Sequence, residues 1–139
     1  MFVLLSFRTD YMIVTTTSFG QGQLILIAST DEHQNPQLVE VNWLSKDQSW
    51  RYSKSSTKLK KHYKLSEDDF IFIDNNSLSK KYPAQALLLT TINQLNEYAA
   101  GKRDNFDLPI DTSMGTEFQQ KVWRALQDIN YGEAISYAT

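Results

Sequence analysis

Three short apolar runs separated by turn signals dominate the first third of the chain. Tyr11 to Thr17 is dense in β-branched and aromatic residues and ends at Phe19-Gly20-Gln21-Gly22. Leu24 to Ile27 follows as a continuous apolar run, then a polar stretch from Asp31 to Pro36, then Leu38 to Leu44. Runs of this length and composition, punctuated by glycine and polar turns, read as strands. Their close spacing predicts an antiparallel meander. Phe70 to Ile73, closed by Asp74-Asn75-Asn76, reads as a further strand or buried run.

The pattern then changes period. Pro83 suits a first helical turn, where no amide donor is needed. Leu88, Ile92, Leu95 and Ala99 recur at helical spacing and predict one stripe that packs on the β layer. Gly101 is placed to end that helix, with Lys102 and Arg103 near its negative pole. Phe106 to Asp111 is expected to be extended, because Pro109 disfavours helix at the residue before it. A second helix is expected from Thr116, which with Gln119 makes a capping box. Phe118, Val122, Leu126 and Ile129 form its apolar face, widened by Trp123 and Ala125, and Asn130-Tyr131-Gly132 ends it. Ala134-Ile135 then offers a short strand and Ser136 a cap for a further helix.

Composition narrows the chemistry. The 139 residues are 41% hydrophobic and 12% aromatic, which suits a globular chain rather than a disordered one. The formal net charge is -2, so no overall pull draws the chain to nucleic acid. There is no cysteine, which removes disulfides, thiolate metal sites and any thiol nucleophile from these residues. Met1 to Phe7 is apolar but lacks a basic flank and is too short for a signal core or membrane span. A cytoplasmic location is expected.

Few side chains invite a site. Arg51, Lys54, Lys58, Lys60, Lys61 and Lys64 make a basic run that reads either as a phosphate-binding patch or as a solvated loop or helix face. The solvated face is favoured, because Glu67, Asp68 and Asp69 follow directly. His33 and His62 are far apart and read as surface residues, so no metal and no cofactor is expected. Asp68, Asp69, Asp74, Asp107 and Asp111 resemble a carboxylate cluster in number, but their turn settings favour capping and solvation. Trp43 and Trp50 read as core or edge aromatics.

Four ordered blocks carry a resemblance. Gln94-Leu95-Asn96-Glu97-Tyr98, Ala100-Gly101-Lys102-Arg103, Phe106 to Asp111, and Gly115 to Tyr137 together resemble the methylated-DNA–protein-cysteine methyltransferases. The first part of the chain matches only loosely, around Thr17 to Ala28. Ala99 stands where the family usually has Phe, and Asn130 where bacterial members favour Pro. The resemblance implies an α+β fold, with a ribonuclease-H-like mixed α/β domain over 1–104, a linker over 105–114, and the start of a winged helix-turn-helix domain over 115–139.

The implied activity is direct-reversal DNA repair, in which a cysteine thiolate takes the alkyl group from O6-alkylguanine in a flipped base. Tyr137 matches the tyrosine that contacts the DNA backbone and assists rotation of the target nucleotide, and Ser136 caps the helix that would follow. The implied partner is double-stranded alkylated DNA. The family's recognition helix, arginine finger, asparagine hinge and Pro-Cys-His-Arg segment all lie beyond Thr139, so the chain is expected to be a shortened member. No catalytic residue is assigned, and the chain as it stands is expected to be inactive. The alternatives are a non-enzymatic alkyltransferase-like lesion-binding protein or an inert remnant or interaction module. Between Gln94 and Thr139, Lys102, Arg103, Lys121 and Arg124 face seven acidic residues, which disfavours independent DNA binding. An uncovered Phe118/Val122/Trp123/Leu126 face leads to an expectation of self-association.

Overall fold

The computed structural model describes residues 12–20, 22–30, 35–44 and 54–110. Strands β1 (Met12–Phe19), β2 (Gly22–Thr30) and β3 (Pro36–Trp43) are followed by helix α1 (Lys54–Tyr63), strand β4 (Phe70–Phe72) and helix α2 (Pro83–Ala99). The sheet order is β3-β2-β1-β4. The first three strands form the expected antiparallel meander, and β4 pairs parallel to β1 through Met12, Ile13 and Val14. The architecture is α+β.

Strand β2 explains the layering. Residues Leu24 to Ala28 are all buried, although neighbouring side chains on a strand point to opposite faces. Both faces therefore need a cover. Leu24, Leu26 and Ala28 join Leu38, Val41 and the α2 residues Ala84, Leu87, Leu88 and Leu95 in one cluster. Ile25 and Ile27 join Met12, Val14, Val39, Phe70 and the α1 residue Leu59 in the other. Each fully buried side chain of this size contributes about 1.5–3 kcal/mol.

A bulge in β3 reconciles its sequence with those two layers. Ile27 pairs with Glu40 but Ala28 pairs with Leu38, so Val39 is the extra residue. Leu38 and Val41, three apart, thereby share the α2 side, while Val39 sits in the α1-side cluster. Glu40, buried opposite Ile27, lies on the α1 side too.

The α2 stripe differs from expectation in one place. Leu88 and Leu95 are fully buried and Ile92 is half-buried, but Ala99 is exposed. Ala84, Leu87, Thr91 and Gln94 complete the covered face instead. A methyl group in the last turn has little reach, and Tyr98 covers that end by stacking on Phe106 at 5.1 Å. Of the two readings of Phe70 to Ile73, the strand is the one observed, and it is buried only at Phe70, with Ile71 and Phe72 exposed. They lie on the short outer strand, which only β1 pairs with among the described residues.

Both helices end in the same device. After α2, Lys102 N–H donates to Glu97 O and Gly101 N–H to Tyr98 O, with Gly101 at φ 76°. This is a Schellman motif with glycine in the left-handed position. After α1, Leu65 N–H donates to Lys60 O, and the left-handed position is filled by Lys64 at φ 57°. A side chain there costs about 1 kcal/mol against glycine.

Two positions in the hairpin are testable. The Thr15 hydroxyl is buried and has no hydrogen-bond partner among the described residues. Thr15→Val keeps shape and β-branching while deleting the unpaired group, so it is expected to raise stability by about 1 kcal/mol in urea unfolding. Gly22 faces Trp43, whose Cζ3 would lie 2.9 Å from an added Cβ. Trp43 is itself packed against Phe19 at 6.2 Å between ring centres. Gly22→Ala is expected to destabilise by about 1–3 kcal/mol, read from the same urea midpoint.

Candidate functional site

Gln94 joins α2 to the extended stretch that follows it. Its Nε2 donates to the Asp107 carbonyl at 3.1 Å, and its Oε1 accepts from the Asp107 N–H at 3.0 Å. The amide thus reads one peptide unit as a neighbouring strand would, and the two bonds fix which way it faces. Beyond it the chain alternates: Phe106, Leu108 and Ile110 are buried while Asp107 and Pro109 are exposed. Leu38 N–H donates to Pro109 O at 2.7 Å, and Leu38 bridges Ile110 in parallel. The stretch expected to be extended because of Pro109 is extended, and it is also bound to the outer edge of β3.

One cation and one carboxylate at this end are paired. Arg103 Nε pairs with Glu97 Oε1 at 2.9 Å, and Arg103 Nη1 donates to Asn105 O at 3.3 Å. Tyr98, Gly101, Lys102, Arg103 and Asp104 line an open depression of about 400 Å³ around them. It is shallow and polar, with no nucleophile aimed into it.

The remaining candidates separate. Asp69 is buried, and its Oδ2 accepts from Ser66 N–H at 2.9 Å and Ser66 Oγ at 3.3 Å, tying its carboxylate back over the turn Glu67–Asp69. Asp74 Oδ2 accepts from Asn76 N–H at 3.0 Å and caps the next turn. Asp68 and the Asp107 side chain are exposed. Among the described residues no three His, Cys, Asp or Glu side chains are grouped to hold a metal. His62 is exposed on α1 and stacks edge-on against Tyr63 at 4.6 Å. Trp43 is a half-buried edge aromatic. His33, Trp50, Arg51, Asp111, the expected 116–129 helix, Ser136 and Tyr137 lie outside the described residues.

The Ser53–Lys64 run, expected as a loop or helix face, is the helix α1 from Lys54. Ser56 and Leu59 are buried and Tyr63 half-buried on one side, while Thr57, Lys58, Lys61 and His62 are exposed on the other. Missed in the sequence were the Gln94 clamp and the left-handed Lys64. The alternation Phe106-x-Leu108-x-Ile110 was the available sign that this stretch behaves like a strand edge.

Comparison with known proteins finds relatives over part of the chain. The constitutive methylated-DNA–protein-cysteine methyltransferase of Bacillus subtilis is 42% identical over 74 residues, 53% of this chain and 44% of that protein. The methylated-DNA–protein-cysteine methyltransferase of Mycobacterium tuberculosis is 52% identical over 46 residues, 33% of this chain and 27% of that protein. The chain is a relative of the methylated-DNA–protein-cysteine methyltransferases. A Methanosarcina barkeri methyltransferase of the same name is 48% identical over 44 residues, 32% of this chain and 27% of that protein. The matches span less than half of each of these methyltransferases. No protein-family model and no solved structure matches the chain.

The clamp is open to direct test. Gln94→Leu keeps the volume but strands the Asp107 N–H and carbonyl, and is expected to destabilise by about 1–3 kcal/mol. Faster amide exchange at Asp107 and Leu38 should accompany it, because the same stretch holds both.

Proposed function

We propose that this chain is a DNA-facing member of the O6-alkylguanine repair family whose 139 residues do not themselves accept the alkyl group. The observation that carries this is the pairing of clear methyltransferase relatives with the absence of any cysteine. The family name of those relatives specifies a protein cysteine as acceptor. A thiolate is ionisable near neutrality and strongly nucleophilic; the serine and threonine hydroxyls of this chain have neither property. Lesion recognition without transfer is one reading left open to these residues, and an inert remnant or interaction module is the other.

The wider assignment follows the same resemblance. Residues 1–104 are read as a ribonuclease-H-like domain, with which a 3-2-1-4 sheet with β4 parallel to β1 is compatible. Residues 105–114 are read as the connection and 115–139 as the start of a winged helix-turn-helix domain. Within it, Tyr137 is the proposed contact to the DNA backbone and Ser136 the cap before it. The partner is double-stranded alkylated DNA, and the location cytoplasmic. No described helix is long and apolar enough to cross a membrane. Self-association through Phe118, Val122, Trp123 and Leu126 belongs to this reading as well.

The deciding experiment incubates the full chain with duplex DNA carrying tritiated O6-methylguanine. No label should appear on the protein, whereas tighter binding to the lesion duplex than to an unmodified one should be seen by fluorescence anisotropy. Stoichiometric labelling of the protein would overturn the inactive assignment, and equal affinity for both duplexes would overturn lesion recognition.

A further inference from the structure

Two lysines and a histidine of α1 share one exposed side, while Lys60 is half-buried. At 3.6 residues per turn, Lys58, Lys61 and His62 fall within one arc, opposite Ser56, Leu59 and Tyr63. The first set is exposed and the second covers the sheet or is half-buried. No acidic residue occurs from Lys54 to Lys64. Lys64 then continues the exposed cations from the left-handed position at φ 57°, where glycine would be less strained.

Two of the nearby carboxylates are withdrawn from solvent. Asp69 is only 6% exposed, and its carboxylate is turned in to Ser66. Glu40, on the α1 side of the sheet, is 5% exposed. Asp68 is the exposed acid closest in sequence for which a side-chain setting is described. Among the described residues, Lys58, Lys61 and Lys64 take part in no ion pair. Of the acids that follow the run, Asp69 is thus turned away from solvent while Asp68 stays exposed.

We propose that the Lys58, Lys61 and Lys64 side of α1 binds the phosphate backbone of duplex DNA, independently of sequence and lesion. Side chains at i and i+3 on a helix stand about 5–6 Å apart, so two lysines can meet successive charges of a polyanion. Each neutralised phosphate releases condensed counterions, which makes such binding strongly salt-dependent. Two other polyanionic partners fit less well. A membrane surface calls for apolar side chains beside the cations, and among the described side chains of α1 the exposed arc carries Thr57, Lys58, Lys61 and His62. Single strands call for an open aromatic platform, and the His62 ring is packed edge-on to Tyr63. The inference rests on the reading that the partner is DNA, and adds a contact that needs no lesion.

The test titrates the full chain against an unmodified, fluorescein-labelled duplex at several potassium chloride concentrations. Lys58→Gln/Lys61→Gln is expected to weaken binding roughly ten- to hundredfold at low salt and to lower the log–log salt slope by about 2. Lys64→Gly relieves the backbone and so keeps the fold, yet should lower the slope by about 1. Lys80→Gln/Lys81→Gln, on the turn before α2, should leave both unchanged. Equal affinity and slope in wild type and α1 variants would overturn the proposal. So would failure of the wild type to bind the duplex at low salt, or lysine-dependent capture by phosphatidylserine vesicles with no duplex binding. Repeating the titration with an O6-methylguanine duplex separates the two readings. Lost lesion preference with a lysine-dependent slope defeats lesion recognition alone, and the converse defeats the α1 contact alone.

Discussion

A strand with no solvent-facing side cannot exist alone, and β2 is such a strand from Leu24 to Ala28. Its two faces demand two separate covers, and the sheet acquires α2 on one side and α1 on the other. The β3 bulge at Val39 follows from the same demand, since it sends Leu38 and Val41 to one layer and Val39 to the other. The Gln94 clamp extends the arrangement past α2, because it seats Phe106, Leu108 and Ile110 in the cluster that α2 closes.

The amphipathic character of α1 has a different origin from that of α2. Helix α2 is long and presents leucines over several turns, so packing alone can hold it. Helix α1 spans ten residues and contributes Leu59 and Tyr63 to its cluster, with Leu65 just beyond. Its terminus and its exposed side are given to lysines. Cations at a helix C-terminus are favourable to the helix dipole, so Lys60 and Lys61 contribute there whatever they bind. The strain at Lys64 has no such return, because glycine fits the left-handed position better.

Much of this fold was legible from local pattern. The meander, the α2 boundaries at Pro83 and Gly101, and the turn roles of Asp69 and Asp74 all follow from residue types with defined local geometry. What escaped depended on distant partners. Nothing in the sequence of Phe70-Ile71-Phe72 shows that the strand pairs with β1 at one edge and lies open at the other. Gln94 reads as an ordinary polar helix residue until Asp107 is brought beside it. Ala99 was assigned to the stripe by spacing alone, and the larger Tyr98 covers that end instead. The chemistry was legible through an absence: without a thiol, no arrangement of the remaining groups supplies the family's acceptor.

The parallel pairing of β4 with β1 also sets an order of events during synthesis. Strands β1 to β3 are neighbours in sequence and can zip as soon as they emerge, but the other margin of β1 waits for Phe70, about 50 residues after Phe19. At ribosomal speeds of about 5–20 residues per second, that margin stays unsatisfied for roughly 3–10 s. Its sequence there is Thr-rich rather than purely aliphatic, and Asn75 later donates its side-chain amide to Thr16 O at 2.7 Å, beyond the reach of the short β4. The nascent meander thus waits for β4 on one border, and later still for Pro109 and Ile110 on the other.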